Sequence, residues 1–539
     1  MYQILKMKSS FIRISIVFLI LILSNCARRG RPTGGDKDEV APIMITSKPA
    51  FETTHFNSKS IQIYFDEYIK LDKIGQQLIV SPPLKYKPII TPLGSASKTL
   101  NIKILDTLQK ETTYIFNFGT SVRDNNEGNI LYNFKYVMST GGYIDSLNLK
   151  GTIKDALSNV VDKDVAILLY RMDEKFNDSI IYKGLPNYIA NTLDTVTWEL
   201  TNLKEGKYKL VALKQKNYDY KFKPASDKIA FYPDTINIPR DSSFNLALFK
   251  EILDYKLARP SEVTKQHIVF GYNGIAKDIK IELLSQVTDS FKSIQAFESD
   301  KDTLNYWFNT PNLDSLQFKV SNKEAIDTVM VKLRAQKFDS LVVGSLNKSV
   351  LNFNDDFKLL SNQPITKVDD SKIILMDKDS VKTPFKTVIS ELKTQLHFKF
   401  EKEPNKAYRL MLLPNAIQTF FESNTDTIRY LFGTKKITEL GSVFLSFAHV
   451  KSYPIIVELT DLKTKVIQSR YLEKPQEVSF LNIDPEKYLI RVIYDENKNS
   501  VWDTGNFLKH INPEEVIYFK NELDVRANWE ITEVFDLAK

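Results

Sequence analysis

One cysteine, Cys26, serves the whole chain of 539 residues. That excludes an internal disulfide framework and any zinc site built on several thiolates. Histidine is almost as scarce. His55, His267, His397, His449 and His510 stand far apart, and no His-Glu-x-x-His segment brings two of them onto one metal. A Gly-x-Ser-x-Gly nucleophile elbow and a phosphate-cradling glycine loop are also missing from a chain with only 18 glycines. No amphipathic stretch keeps helical periodicity for about twelve residues or more. The signatures of common hydrolases, nucleotide enzymes and metalloenzymes are therefore absent. A carboxylate pair assembled by the fold, as in glycosidases, would leave no trace in the sequence, so the expectation that the chain is not an enzyme rests on its architecture.

Charge is the next shortage. The formal net charge is +7, but Lys6, Lys8, Arg13, Arg28, Arg29 and Arg31 supply +6 of it with no acid among them, leaving +1 for everything after. A near-neutral body without a basic stripe argues against a nucleic-acid partner. The basic leader runs into Ile14 to Leu23, apolar except for Ser15. That run is about ten residues, roughly half of what a helix needs to cross a bilayer, and reads as a secretory signal. The segment Leu23-Ser24-Asn25-Cys26 resembles the lipobox of bacterial lipoproteins. The resemblance implies that residues 1–25 are removed and that Cys26 becomes the acylated N-terminus. Asn25 departs from the small residue that the family places before its cysteine, and a plain signal peptide with an unmodified Cys26 is the alternative. Two or three acyl chains, at about 0.8 kcal/mol per buried methylene, hold a protein on a membrane permanently. Residues 26–40, with Gly30, Pro32, Gly34 and Gly35, read as a tether. The fourteen residues from Ala27 to Val40 reach at most about 45 Å.

What remains is β-rich. Tyr (25) and Phe (33) far outnumber Trp (4), and aromatic residues at alternating positions suit strands. Segments such as SIQIYF (60–65), LNIKIL (100–105), TYIFNF (113–118), VAILLY (165–170), YKLVAL (208–213), TVMVKL (328–333), QLHFKF (395–400) and YLIRVI (488–493) alternate or run apolar between turn residues. The expected fold class is all-β, a series of β-sandwiches, each held by its apolar core without disulfides. IQIYFDEYI, LIVSPPL and LQKETTYIFNFGTSVRDNNEGNILYNFKYVMST together resemble the bacterial Ig-like domain of the S-layer type, over about residues 41–142. LKGTIKDALSNVVDKDVAILLY and WELTNLKEGKYKLVALKQKNYDYKF are similar to the transthyretin-like, or carboxypeptidase-regulatory-like, sandwich over 143–247. There the second segment is expected to form a central hairpin turning at Gly206. With the lipobox, the whole resembles Bacteroidetes-type outer-membrane lipoproteins. That resemblance implies adhesion, scaffolding or complex assembly, and supplies no catalytic residue.

The pair of modules recurs. Asn202, Lys207, Tyr208 and Asn217 meet Asn482, Lys487, Tyr488 and Asn497 at a constant offset (488 − 208 = 280), and Phe222 meets Trp502. Tyr114 precedes Thr140 by the same 26 residues as Tyr408 precedes Thr434. The expected division is therefore a β-rich module of no named family over 248–342, a second Ig-like domain over 343–440 and a second transthyretin-like sandwich over 441–539.

Two loops have ligand-like spacing. In DENKNSVWDTGN, Asp495, Asn497, Asn499 and Asp503 follow the alternation by which one loop wraps calcium in oxygen, although Ser500 and Asn506 stand where an EF-hand has Gly and Glu. The competing reading is an Asx-rich turn whose side chains bond their own backbone. In the first copy Gln215 and Lys223 replace Asp495 and Asp503, so a calcium site would belong to the second copy alone. Asp124, Asn125, Asn126 and Glu127 present the same choice, with Gly128-Asn129 reading as a tight turn. Two functional classes follow. One is a noncatalytic lipoprotein, anchored in the outer membrane through Cys26, that scaffolds other outer-membrane proteins such as β-barrels and their assembly or secretion machinery. The other is a glycan-binding accessory protein using Trp198, Trp307, Trp502 or Trp529, of which Trp198 and Trp529 are expected in cores. Ala27 after Cys26 is not the aspartate of inner-membrane retention, and Arg28 and Arg29 lack the acidity of surface display, which leaves the leaflet open.

Cys26→Ser is expected to abolish membrane attachment and fatty-acid incorporation. Metabolic labelling with a radioactive fatty acid checks it: label retained by the variant would remove the anchor.

Overall fold

The computed structural model describes residues 37–538, apart from 175, 240–242, 277, 299–300, 310–312 and 335–336. Cys26 and most of the tether lie outside them. The described chain is all-β, a tandem array of β-sandwiches. Its α-helices are single turns such as Ile74–Gln77 and Ile180–Lys183. Contacts divide it into two compact units, one reaching to Ile144 and the other running from Asp145 onward with the short piece Ser81–Pro83.

Alternation builds the first unit. In the strand Ser60–Leu71, Ile61, Ile63 and Phe65 are buried while their neighbours face out, as a period of two requires. Its sheet runs in the order Met44–Lys48, Ser60–Leu71, Ser97–Lys103, Ile89–Thr91. The facing sheet contains Thr113–Asn117 paired antiparallel with Lys135–Ser139. Leu100, Ile102, Tyr114, Phe116, Tyr136 and Met138 close the core between them.

The second unit opens with a sandwich whose larger sheet has the order Tyr188–Asn191, Ala166–Arg171, Gly206–Lys214, Lys228–Phe231. Its smaller sheet has the order Thr197–Leu203, Leu147–Asp155, Ser243–Leu248, the last pair parallel. Thr197–Leu203 and Gly206–Lys214 therefore lie in different sheets, which corrects the expected central hairpin. Trp198, Leu200 and Leu203 pack from one side of the core and Tyr208, Leu210 and Ala212 from the other. The connection through Gly206 is a corner between layers. The Tyr208 hydroxyl donates to the Lys204 carbonyl at 3.0 Å and holds that corner.

The same architecture closes the chain. Val466–Leu472, Ile455–Thr460, Lys487–Tyr494 and Val516–Tyr518 form one sheet, and Val478–Ile483, Gly441–Ala448 and Glu530–Asp536 the other, again with a parallel last pair. Here the Tyr488 hydroxyl donates to the Asp484 carbonyl at 2.9 Å, at the offset of 280 read from the sequence. Asn202 and Asn482 share a left-handed backbone, φ 57° and 54°.

Residues 343–434 repeat the first unit's sheet order: Val343–Ser345, Phe357–Ser361, Gln395–Lys399, Lys386–Ile389. The Gln109 N–H donates to Tyr114 Oη and the Glu403 N–H to Tyr408 Oη, both at 2.9 Å. The Thr140 hydroxyl binds the Gln109 carbonyl, and the Thr434 hydroxyl binds the Glu403 carbonyl. Here 408 − 114 and 434 − 140 both equal 294. Between these parts, His267–Asn273, Thr303–Phe308 and Ser293–Glu298 face Ile279–Leu283, Ser315–Asn322 and Ala325–Lys332 across a core of Phe270, Tyr306, Phe308, Leu316 and Phe318.

Inside the second unit, the chain returns its last sandwich to its first. Phe507 meets Phe231 edge to face at 5.3 Å, and its N–H donates to Glu251 Oε1 at 2.5 Å. Burial pushes the Glu251 carboxyl above its usual range, the Phe507 N–H opposing. The Tyr518 hydroxyl and Arg491 Nη1 both donate to the Leu157 carbonyl, at 2.7 and 2.9 Å. Gly505 fits against Phe249 because a Cβ there would stand 2.7 Å from the ring and 2.6 Å from the Ile511 carbonyl oxygen.

Gly151, in the central strand Leu147–Asp155, leaves still less room: a Cβ would fall 2.0 Å from the Phe244 carbonyl oxygen and 2.5 Å from the Trp198 ring. Gly151→Ala is expected to cost about 3 kcal/mol or more. Gly344→Ala, with open space around it, should stay within about 0.5 kcal/mol. Urea denaturation of the two variants measures the contrast.

Candidate functional site: the Asp495 loop and the tryptophans

The loop after Lys487–Tyr494 is built on the buried Asp495, 1% exposed. Asp495 Oδ1 accepts the Asn499 N–H at 3.1 Å and Oδ2 accepts the Ser500 N–H at 2.8 Å. Asn497 and Asn499 both turn their amide nitrogens toward Asp503 Oδ2, at 2.5 and 2.6 Å. Their amide oxygens take the Asn499 and Val501 N–H groups. The four candidate ligands thus come together, but as donors and acceptors to one another and to the turn. Among the described residues, no group of three or more His, Cys, Asp or Glu is placed to hold a metal ion.

The first copy has an amide in place of the acid and a turn that matches in part: the Asp219 N–H goes to the Asn217 carbonyl, where the Asn499 N–H goes to Asp495. The Tyr220 N–H donates to Gln215 Oε1 at 3.0 Å, where the Ser500 N–H donates to Asp495. Tyr220 and Ser500, 280 residues apart, both have positive φ, 57° and 65°. There a neutral amide accepts one of the two N–H groups that the carboxylate accepts in the second copy. One residue escaped the sequence reading: Glu514, 7% exposed, whose carboxylate takes the N–H groups of Glu496 at 2.9 Å and Asp503 at 3.0 Å and ties both ends of the loop. Burial pushes its carboxyl above the usual range; the two N–H bonds oppose the shift and the charges of Asp495 and Asp503 add to it. Lying eleven positions past Asp503, it had no spacing signal to find it.

In the first unit Asp124 behaves alike. Fully buried, it accepts from Glu127 N at 2.6 Å, Gly128 N at 2.9 Å and Asn129 N at 2.6 Å. Burial would raise its carboxyl, and the converging N–H donors outweigh that and hold it below the usual range. The segment Asp124 to Asn129 is a clamped turn.

The histidines are dispersed. His267 stacks on Trp307 at 4.6 Å and meets Asn305 Oδ1 at 2.9 Å, and burial lowers its pKa. His449 pairs with Asp536 and His510 with Asp178, both pairs outward. His397 lies in Gln395–Lys399 with its pKa lowered by burial and by Lys358. Of the glycan candidates, Trp198 and Trp307 are in cores at 4% and 3% exposure. Trp502 is half-buried and donates to the Glu514 carbonyl at 3.1 Å. Trp529, expected in a core, is 56% exposed with the Arg526 guanidinium 5.1 Å over its ring. It sits one residue before the strand Glu530–Asp536, outside the alternation that would have turned it inward. No helix among the described residues is long and apolar enough to cross a membrane.

Residues 38–140 match the family model of the bacterial Ig-like domain. Solved structures similar to the chain include the S-layer protein rSbsC(31-844), 12% identical over 90% of this chain and 67% of that one, with a TM-score of 0.15. The Bacillus anthracis TIE protein is 10% identical over 94% and 76%, TM-score 0.16. A variant of the major pilin subunit of Bacillus cereus is 9% identical over 73% and 99%, TM-score 0.14. Scores this low bear on neither activity nor assembly. No curated protein matches the chain.

Asp495→Ala strips two N–H groups of their acceptor and is expected to cost about 1–3 kcal/mol. A turn that satisfies itself should melt at the same temperature in millimolar calcium and in chelator. Scanning calorimetry of the whole chain under both conditions checks this, and a calcium-dependent rise lost in Asp495→Ala would assign the loop to the ion.

Proposed function

We propose that the chain is a noncatalytic lipoprotein of the outer membrane, held there through Cys26, whose sandwiches present loops and strand edges to other outer-membrane proteins. The observation that carries this reading is the repeated sandwich architecture, with the last sandwich of the second unit packed on the sandwich that opens that unit. Interlocked modules hold several surfaces at fixed angles, which suits a scaffold for a multi-protein complex. The basic leader, the short apolar run and the lone cysteine support export and anchoring, and the bacterial Ig-like domain at residues 38–140 supports a place outside the cytoplasm. Outer-membrane β-barrels and their assembly or secretion machinery are the partners best matched to a chain tethered at that membrane.

The second reading, a glycan-binding accessory protein, rests on Trp529 as the exposed indole. Sugar-binding sandwiches use several coplanar rings, and the other three tryptophans are buried or half-buried, so the scaffold reading is preferred.

Cross-linking the tagged protein in intact cells, followed by purification from detergent-solubilised outer membranes, is expected to recover a reproducible set of outer-membrane proteins in near-stoichiometric amounts. Recovery of none, together with retention on polysaccharide that Trp529→Ala abolishes, would replace the scaffold with the glycan reading.

A further inference from the structure

The strand Ala325–Lys332 ends its three-stranded sheet. It pairs with Ser315–Asn322 on one side and, among the described residues, with no strand on the other. The two are joined by Lys323 and Glu324, with Lys323 at φ 53° and Asn322 opposite Ala325. In a hairpin with a two-residue loop, the pair flanking the turn exchanges both backbone hydrogen bonds, and every second pair after it does the same. Odd-numbered residues of this strand therefore bond inward to Ser315–Asn322. Ile326, Thr328, Met330 and Lys332 direct their N–H and C=O groups to the open edge.

The same four residues share the outer face. Ile326 is 61% and Met330 63% exposed, while Val331 lies in the core at 2%. Apolar side chains beside a row of free backbone groups are what folded proteins avoid on an edge, unless the edge is used. The exposed stretch has a particular symmetry. Around Thr328 it reads Glu324, Ile326, Thr328, Met330, Lys332: one acid, one apolar residue, the centre, one apolar residue, one base.

We propose that this edge pairs with the same edge of a second copy, antiparallel, about a two-fold axis at Thr328. That register sets Ile326 of each copy against Met330 of the other and brings each Glu324 to the other's Lys332. It makes about six backbone hydrogen bonds from groups that face outward in both strands. Asp327 falls opposite Val329, so the two acids do not meet. Shifting the axis by one residue keeps outward groups paired but sets Ile326 opposite Thr328 or Lys332 instead of Met330. Shifting it by two leaves a single apolar pair, Ile326 or Met330 against itself, and parts Glu324 from Lys332. The occupant is therefore a second copy of this chain, identified by its own charge complementarity. A single strand pair buries less than the roughly 1,200 Å² of a stable interface. The association is weak in solution and strengthens where copies are crowded on one surface.

The inference stands apart from the scaffold reading, and either can fail without the other. Its test uses residues 26–539 carrying Cys26→Ser, which removes the chain's one thiol. Thr328→Cys is expected to give a disulfide-linked dimer on mild oxidation, because paired Cα atoms across such a ladder lie about 5.5 Å apart, within disulfide reach. Lys319→Cys, on the neighbouring strand opposite Thr328, should give none. In sedimentation equilibrium, Glu324→Lys or Lys332→Glu should weaken the dimer about three- to tenfold, and the double variant should restore it. Thermal melting confirms that each variant is folded. A chain that stays monomeric at about 0.5 mM without the disulfide, a disulfide forming equally at Lys319→Cys, or a double variant that fails to recover would each overturn the proposal.

Discussion

A tyrosine ring belongs in a β-sandwich core and its hydroxyl does not, and the repeated architecture hangs on how that conflict is met. Tyr114, Tyr208, Tyr408 and Tyr488 are at most 2% exposed, and each hydroxyl meets a backbone group of the loop four or five residues earlier. An unpartnered buried hydroxyl costs about 1–3 kcal/mol, so the loop must come to the ring. Once there, it fixes where the strand begins and at which corner the chain passes between layers. The threonine 26 residues after Tyr114 and Tyr408 holds the same loop residue, Gln109 or Glu403, by its carbonyl.

Turns meet the same demand with carboxylates. Asp124, Asp377, Asp461 and Asp495 each accept at least two N–H groups from the residues just after them. With one cysteine and no long helix among the described residues, the chain has to hold its many connections this way, since a backbone group in a buried turn finds no water. In the first copy Gln215 stands where Asp495 does, and the buried carboxylate there is Asp227, which accepts from the Gln215 amide and the Lys223 N–H. The oxygens of these loops point inward to the backbone N–H groups of their own turns, the same orientation that a cation loop requires.

The interlocked second unit gives the proposed scaffold its physical sense. Phe507 on Phe231 and the Leu157 carbonyl shared by Tyr518 and Arg491 join residues more than 250 positions apart. The sandwiches between them are thereby carried on a closed loop of chain. What such an assembly offers to solvent is strand edges and turns, with Ala325–Lys332 the edge whose outer face is most plainly unfinished.

The strands were legible because alternation is local: Ile61, Ile63 and Phe65, or Tyr488 through Tyr494, announce themselves in any window of eight residues. The duplication was legible because equal loops need equal residues, and the offset of 280 carried Tyr208 onto Tyr488. The hairpin expected at Gly206 was not a hairpin. Two adjacent apolar strands look the same whether they pair with each other or face each other across a core, and only packing chooses. Trp529 was misplaced because its exposure depends on where Glu530–Asp536 starts, one residue later. Glu514 and Glu251 left no mark, since each meets its loop through chain folding back over long or irregular distances. The sequence by itself determined the all-β class, the repeat and the tyrosine and aspartate anchors, all set by contacts within a few residues. Which strands share a sheet, which carboxylates are buried and which edge stays open were decided only by the tertiary structure, because those depend on segments that meet in space without any regular spacing in the chain.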